Sequence, residues 1–120
     1  MKKTSSLRSN QDFKKVYKIG KSYANKYLIM YVLENGTSEN RLGISVSKKV
    51  GNSVVRHHLC RLVREVYRLH ENMFNSGLDI VVVARANAKS ILYTDMESAI
   101  LHLAKLHLIY NEAITKEDLL

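Results

Sequence analysis

The hydrophobic positions along the chain change their spacing several times, and each change predicts a different element. Leu42, Ile44 and Val46 alternate with small or polar residues, which is typical of a strand buried on one face. From Val55 onwards the apolar residues recur at the three- and four-residue spacing of a helix with one buried side. The unbroken apolar run 80–83 instead predicts a strand that is covered on both faces. The middle of the chain therefore predicts a strand, a helix and a second strand.

The segment before these elements predicts a short helix followed by one long strand. Asn10 is a candidate N-cap for a helix over residues 11–19, and Gly20 is a candidate C′ residue. Residues 22–36, SYANKYLIMYVLENG, are rich in β-branched and aromatic side chains and predict a strand that runs into an Asn35-Gly36 turn. The two-residue period of a strand places these residues on one side of it: Tyr23, Asn25, Tyr27, Ile29 and Tyr31.

The remaining boundaries follow from capping signals. Gly51-Asn52-Ser53 offers an N-cap for the central helix, which is predicted to reach about Phe74, with Gly77 beyond it. Residues 78–86 hold the buried strand, and residues 94–97 match a capping box that opens a last helix towards Asn111. This order predicts the α+β class, a small α/β sandwich with helices packed on a sheet. One domain is expected over residues 1–120, with residues 1–9 as a flexible basic arm.

The charge of the chain indicates a class of function. The chain has 120 residues, a formal net charge of +8 and a pI near 9.7, which indicate a polyanionic partner. Residues 1–68 hold fifteen Lys and Arg against four acids, whereas residues 69–120 hold four against seven, so the binding face is expected in the first half. One cysteine and the lack of a long apolar run predict a cytoplasmic protein with no membrane contact.

The central helix sorts its side chains into a buried stripe and a basic face. Val55, Leu59, Leu62, Val63 and Val66 form the stripe. His57, Arg64 and Arg68 project roughly opposite, with Cys60 and Arg61 beside them and Arg56 on the flank. Like charges this close together repel, and a phosphate backbone that neutralises them would remove this cost. Lys48 and Lys49 add positive charge near the helix N-terminus. The alternative is an ordinary solvated helix face.

The histidines and the cysteine raise the question of a metal or nucleophilic site. His57 and Cys60 lie one helical turn apart, but zinc needs three or four ligands and no finger-like spacing supplies them. A stand-alone nuclease using His57 or His58 with Asp79 or Glu65 would lack the carboxylate cluster that two-metal hydrolysis needs. The expectation is no metal site and no catalytic residue on the protein.

The segment RLGISVSKKVGNSVVRHHLCRLVREVYR, residues 41–68, resembles the bacterial ribonuclease P protein family. The similarity extends upstream through NQDFKKVYKIGKSYANKYLIMYVL and downstream through DIVVVARANA, so it covers essentially the whole chain. The departures lie in the family's RNR helix: His57 replaces the usual Asn, His58 a usual Arg or Lys, and Cys60 a usual Lys. The resemblance implies a four-stranded sheet, the order αβββαβα and a left-handed βαβ crossover.

The resemblance also implies a division of labour in removing the 5′ leader of precursor tRNA. The RNA subunit and its Mg²⁺ ions would perform the cleavage, and the protein alone would bind no cofactor. Residues expected to contact that RNA are Asn52, Arg56, His57, His58, Arg61, Arg64 and Arg68.

The leader would follow a cleft between the first helix and the sheet. Its expected contacts are Phe13, Tyr17 and Tyr31 as aromatic floor, with Lys14, Lys18, Lys26, Lys48, Lys49 and Arg85 for phosphates. The partners implied are the catalytic RNA and precursor tRNA, with no small-molecule substrate. The competing hypothesis is a non-catalytic RNA-binding or ribosome-associated protein.

Overall fold

Five strands form a single mixed sheet that carries helices on both faces. The computed structural model describes residues 4–112. The strands are β1 (Thr4–Ser6), β2 (Lys21–Ala24), β3 (Leu28–Glu34), β4 (Asn40–Ser45) and β5 (Leu78–Ala84). The helices are α1 (Asn10–Ile19), α2 (Ser53–His70) and α3 (Tyr93–Leu106), and a 3₁₀ turn, Glu71–Met73, follows α2. The strand order is β1-β4-β5-β3-β2, in which β1, β4 and β5 are parallel to one another and β2 and β3 pair antiparallel. The α+β class is confirmed, with five strands instead of four.

The two faces of the sheet bury different helices. Alternate residues of β3 and β5, such as Met30 and Ile80, pack against Leu59 of α2 and Leu103 of α3. The residues between them, such as Val81, pack on the other face against α1. The unit β4-α2-β5 joins adjacent parallel strands, and the left hand of its crossover stays a prediction of the resemblance. Among the described residues, none of the helices combines the length and hydropathy that crossing a bilayer demands.

The predicted single strand over residues 22–36 is wrong, because Asn25 folds it into a hairpin. The Oδ1 atom of Asn25 accepts hydrogen bonds from the backbone N–H groups of Tyr27 at 3.1 Å and Leu28 at 3.0 Å. An asparagine side chain that satisfies its own backbone in this way competes with the strand ladder. The turn also separates the tyrosines: Tyr23 and Tyr27 pack on the α2–α3 side, whereas Tyr31 lies on the α1 side.

The predicted flexible arm is wrong for residues 4–9, and its residues 1–3 lie outside the described residues. Strand β1 pairs in parallel with β4, and the side chain of Leu7 is buried. Thr4 Oγ1 lies 2.7 Å from the hydroxyl of Tyr67, on the last turns of α2. Ser9, not Asn10, caps α1, since its Oγ accepts from the N–H groups of residues 11 and 12. A three-residue strand of Thr and Ser carries no hydrophobic pattern that the sequence could display.

The predicted N-cap of α2 is correct, but its predicted end near Phe74 is wrong, because the α-helix ends at His70 and a 3₁₀ turn follows. The predicted end of α1 at residue 19 is correct. Asn52 caps α2 by accepting from the N–H of Val55 at 3.0 Å, as expected. Gly20 has φ of −73°, so it is no left-handed C′ residue; its glycine is needed because a Cβ would meet the carbonyl oxygen of Val16 at 2.5 Å. Helix α3 begins at Tyr93 without a side-chain cap, which places Thr94 inside the first turn instead of at a capping box, and it ends at Leu106.

An ion pair inside the structure joins β4, β5 and α1. The side chain of Asp79 is 4 % exposed and accepts two hydrogen bonds from Arg41, at 2.8 and 2.6 Å. Asn35 donates a third at 3.0 Å, and Arg41 also reaches Asp12 at 3.1 Å. Burial alone would raise the pKa of the Asp79 carboxyl, but the hydrogen bonds from Arg41 and Asn35 outweigh it, so this pKa is lower than usual.

Replacing Asp79 by Asn is expected to lower the free energy of unfolding by about 2 kcal/mol near neutral pH, because Arg41 loses its charged partner. The pKa of Asp79 in the folded state lies below its unfolded value of about 3.9. Its contribution is therefore complete above that pH and is lost as the pH falls through the folded-state pKa. The difference in the free energy of unfolding between wild type and variant should therefore become smaller in acid, as measured by urea unfolding. Glu34→Gln, at an exposed position, is the control and should change little.

Candidate RNA-binding surfaces

The outer face of α2 is basic and its inner face is apolar, as predicted. Leu59, Val63 and Val66 are at most 1 % exposed, and Val55 and Leu62 pack partly buried beside them. The side chains on the opposite face that are exposed to solvent are His57, His58, Arg61, Arg64 and Arg68. We call these five residues the α2 face. The helix therefore holds its cations outward because the apolar stripe is fixed against the sheet.

Two of the predicted arginines of α2 have partners within the protein. Arg68 pairs with Glu65 at 2.6 Å on the exposed surface, so its charge is partly neutralised in the free protein. Arg56 is half-buried and donates to the carbonyl oxygen of Gly51 at 3.0 Å, which holds the loop before the helix. Within residues 4–112 neither Arg61 nor Arg64 forms an ion pair. These two guanidinium groups are the ones most available to phosphate.

The histidines of α2 line an open groove and do not converge with acids. His57 and His58 border this groove together with Ser53, Val54 and Arg61. In the part of the chain that the structure describes, no three His, Cys, Asp or Glu side chains lie close enough to share a metal ion. Burial raises the pKa of the Cys60 thiol, and Arg64 only partly opposes this effect. Cys60 is therefore a poor nucleophile at neutral pH.

The nuclease hypothesis fails on geometry. Asp79 lies on the α1 side of the sheet and is held by Arg41, whereas His57 and His58 lie on α2, across the sheet. Glu65 is engaged by Arg68. Asp79 is therefore separated from the histidines and from Glu65, and within the described residues these side chains form no group that could hold a metal ion.

A second surface lies on the other side of the sheet, where α1 crosses it. The ring centroids of Phe13 and Tyr17 are 6.2 Å apart, and those of Tyr17 and Tyr31 are 5.0 Å apart in an edge-on arrangement. Tyr17 is 39 % exposed, while Phe13 and Tyr31 are half-buried. A shallow groove runs here between Asn10, Phe13, Tyr17, Ile44 and Ser45. We call it the α1 groove; the three predicted aromatic residues do form one cluster.

Gly43 makes this cluster possible and was missed in the sequence. A Cβ atom at this position would lie 2.7 Å from Cζ of Phe13 and 3.1 Å from a methyl group of Leu7. The bare strand lets the phenyl ring lie directly against β4. Sequence alone marks Gly43 only as a small residue in an alternating strand, and nothing in that pattern shows which ring covers it.

The predicted lysines and the last predicted arginine fall into two groups. Lys14 and Lys18 are exposed on α1, and Lys48 and Lys49 are exposed on the loop that follows Ser45 in the groove. Lys26 and Arg85 instead lie at the β2–β3 turn, where Arg85 donates to the carbonyl oxygen of Asn25 at 2.7 Å. Lys26 borders α3 and not the α1 groove. The first group therefore lies on the helix and the loop that border the α1 groove, although none of the four lysines lines it, and the second group lies apart from it.

The two surfaces lie on opposite sides of the sheet and meet at one end of it. Strands β1, β4 and β5 are parallel, so their carboxyl ends share one edge. Helices α1 and α2 both begin at that edge, capped by Ser9 and Asn52. Free N–H groups and the helix dipoles add positive potential there to the charge of Lys48 and Lys49. This edge of an α/β sheet is where ligands commonly bind.

Comparison with known proteins identifies the family. The family model for Ribonuclease P matches residues 1–107. The chain belongs to the ribonuclease P protein family. It is 62 % identical over 108 residues to the ribonuclease P protein component of Lachnoclostridium phytofermentans, covering 90 % of this chain and 93 % of that protein. It is 51 % identical over 114 residues to that of Alkaliphilus oremlandii, covering 95 % and 100 %.

Solved structures of the family have the same fold. The RNase P protein of Staphylococcus aureus superposes with a TM-score of 0.82 at 36 % identity, covering 88 % of this chain and 97 % of that one. The protein from Thermotoga maritima gives 0.79 at 33 % identity, covering 85 % and 96 %. The chain is accordingly a protein subunit of ribonuclease P, works in tRNA processing, and has the RNase P RNA as its partner.

Proposed function

We propose that the protein holds the RNA subunit on its α2 face and guides the 5′ leader of precursor tRNA through the α1 groove. The RNA subunit performs the phosphodiester hydrolysis with Mg²⁺ bound among its own phosphates, in the cytoplasm. The proposal rests on one observation. Two different surfaces that are suited to RNA lie on opposite sides of one sheet, and they meet at its positively charged edge. A protein so built can contact two RNA strands at once.

The α2 face has the chemistry of a backbone contact. Arg61 and Arg64 are exposed, and within the described residues they have no ion-pair partner, so they can neutralise phosphates without breaking an existing bond. Arg68 would exchange Glu65 for a phosphate. Asn52, Arg56, His57 and His58 complete the contact around the N-terminus of α2. Such contacts position a duplex but carry little base sequence information.

The α1 groove has the chemistry of a single-strand contact. Every base has a flat face, so an aromatic floor accepts leaders of different sequence. Tyr17 is the exposed member and Tyr31 supports it from β3 at 5.0 Å. Lys14, Lys18, Lys48 and Lys49 would contact the leader phosphates. Lys26 and Arg85 would contact precursor tRNA at the β2–β3 turn, beyond the groove.

The catalytic role of the RNA subunit is supported by what the two surfaces offer. Glu65 beside the α2 face is engaged by Arg68, and no histidine lines the α1 groove among the described residues. The described pair of a carboxylate with an imidazole, Glu97 with His70 at 2.9 Å, lies outside both surfaces. The one cysteine is a free thiol, which suits a reducing cytoplasm.

Reconstitution tests the proposal directly. Precursor tRNA is incubated with the protein, with a bacterial RNase P RNA, and with both, at low Mg²⁺. We expect efficient 5′ cleavage only with both, because the protein supplies contacts and the RNA supplies the reacting centre. Cleavage by the protein alone would favour a nuclease, and no stimulation of the RNA would favour a plain RNA-binding protein.

The double variant Arg61→Ala, Arg64→Ala should weaken binding to the RNA subunit. Each lost phosphate contact flattens the slope of log K against log salt by about 0.7–0.9. Filter binding over a range of salt concentrations measures this slope. Lys105→Ala removes a cation from the far end of α3 and serves as the control. A slope that is the same in the double variant and in wild type would place Arg61 and Arg64 outside the interface.

Tyr17→Ala should weaken binding of precursor tRNA by about 1–3 kcal/mol while leaving mature tRNA unaffected, because only the precursor carries a leader to stack. The affinities are measured with the reconstituted enzyme. Ile19→Ala truncates another exposed apolar residue of α1 and is the matched control. Equal losses for the two tRNAs would assign Tyr17 to packing instead of to the leader.

A further inference from the structure

The β2–β3 turn and the first turns of α3 border an open surface pocket that is separate from both the α2 face and the α1 groove. Its volume is about 300 Å³, at the lower end of the range for small-ligand pockets. The half-buried ring of Tyr27 and the methyl group of Ala99 form its apolar wall. Asp95, Ser98 and His102 line the other side. The pocket therefore suits a flat ring that has a polar edge.

Asn25 fixes which nitrogen of His102 carries the proton. The Oδ1 atom of Asn25 accepts two backbone hydrogen bonds, which sets the orientation of its carboxamide. Its Nδ2 donates to the carbonyl oxygen of Ala99 at 3.0 Å and lies 3.3 Å from Nδ1 of His102. Because Nδ2 can only donate, Nδ1 accepts, and the neutral imidazole carries its proton on Nε2. His102 therefore offers an N–H donor at the pocket.

The polar groups lie in a row along α3 with opposite hydrogen-bonding character at its two ends. Asp95 and His102 are seven residues apart, about two turns or 10.5 Å along the axis, and Ser98 lies between them on the same face. The carboxylate of Asp95 only accepts, and no ion pair occupies it within residues 4–112. The other end offers the Nε2–H of His102.

We propose that this pocket binds a guanine base of a single-stranded RNA segment. Guanine alone among the four bases presents two adjacent donors, N1–H and N2–H₂, which match the two oxygens of a carboxylate. Its O6 and N7 are acceptors for the donors of Ser98 and His102, and its face stacks on Tyr27. Bases that are splayed out of RNA are commonly recognised in this way, by stacking and by their Watson–Crick and Hoogsteen edges.

The charge around the pocket favours a nucleotide as the occupant. The ammonium group of Lys26 lies over the Tyr27 ring, 5.3 Å from its centroid, and a base that stacks on this ring would displace it towards its own phosphate. Arg85 is held beside the same turn through its bond to Asn25. These two cations can take the phosphates on either side of a bound base. The inference rests on the proposed function and extends it. The α2 face contacts the RNA backbone and the α1 groove stacks bases, and this pocket would add a contact that recognises one base.

Asp95→Asn tests the pocket through a change whose sign is diagnostic. The variant removes one negative charge, so a purely electrostatic role predicts tighter binding of any RNA. A guanine pocket instead predicts weaker binding of guanosine. The probes are two short RNA oligonucleotides that differ only in having a central guanosine or adenosine. The ratio of their affinities should fall about tenfold in the variant. Glu34→Gln makes the same charge change on the last residue of β3 and should leave the preference unchanged.

The ratio of two affinities is insensitive to partial unfolding, so a loss of stability in the variant cannot imitate the result. His102→Ala should also reduce the preference, since it removes the donor at the other end. Binding of the RNase P RNA, precursor tRNA and mature tRNA by Asp95→Asn then shows which RNA supplies the guanine. An unchanged preference, or tighter binding of both oligonucleotides as in Glu34→Gln, would overturn the proposal. Cleavage by the reconstituted enzyme tests the proposed function separately.

Discussion

The buried contact between Arg41 and Asp79 is the constraint on which the arrangement of the two surfaces depends. It joins the two central parallel strands, and its third hydrogen bond reaches Asp12 on α1. Helix α1 is otherwise held over the sheet by one fully buried residue, Val16, and by aromatic side chains that are only half-buried. A charged contact with fixed geometry therefore sets where α1 lies, and with it the width of the groove that the leader would enter.

The two faces of the sheet are stabilised in different ways, and this difference fits the role proposed for each. The α2–α3 side has a large apolar core, and α2 can therefore carry exposed arginines at little cost in stability. The α1 side has a small core in which Phe13 and Tyr31 are shared between packing and surface. A thin core leaves aromatic rings accessible, which a stacking surface needs.

Periodicity and charge predicted the parts of the molecule in which one residue type repeats. The stripe and face of α2, its Asn52 cap and the buried strand β5 were all visible because burial on a regular element imposes a spacing. The missed features each depend on one residue and a distant partner: Asn25 turning a strand into a hairpin, Gly43 beneath Phe13, and Thr4 bound to Tyr67. Such contacts leave no spacing in the sequence. The lack of an apolar pattern in β1 likewise led to the prediction of a loose arm.

The parallel pairing of β1 with β4 has a consequence for the newly made chain. Thr4 pairs with Asn40, and β4 in turn pairs with β5 as far as Val83. Only the β2–β3 hairpin joins neighbouring segments, so most of the sheet cannot assemble until the chain has left the ribosome almost to its final helix. Until then a strongly cationic, unassembled polypeptide is exposed to ribosomal and messenger RNA. Its folding therefore takes place among competing polyanions, and a partner RNA that binds the folded state would shift the equilibrium towards that state.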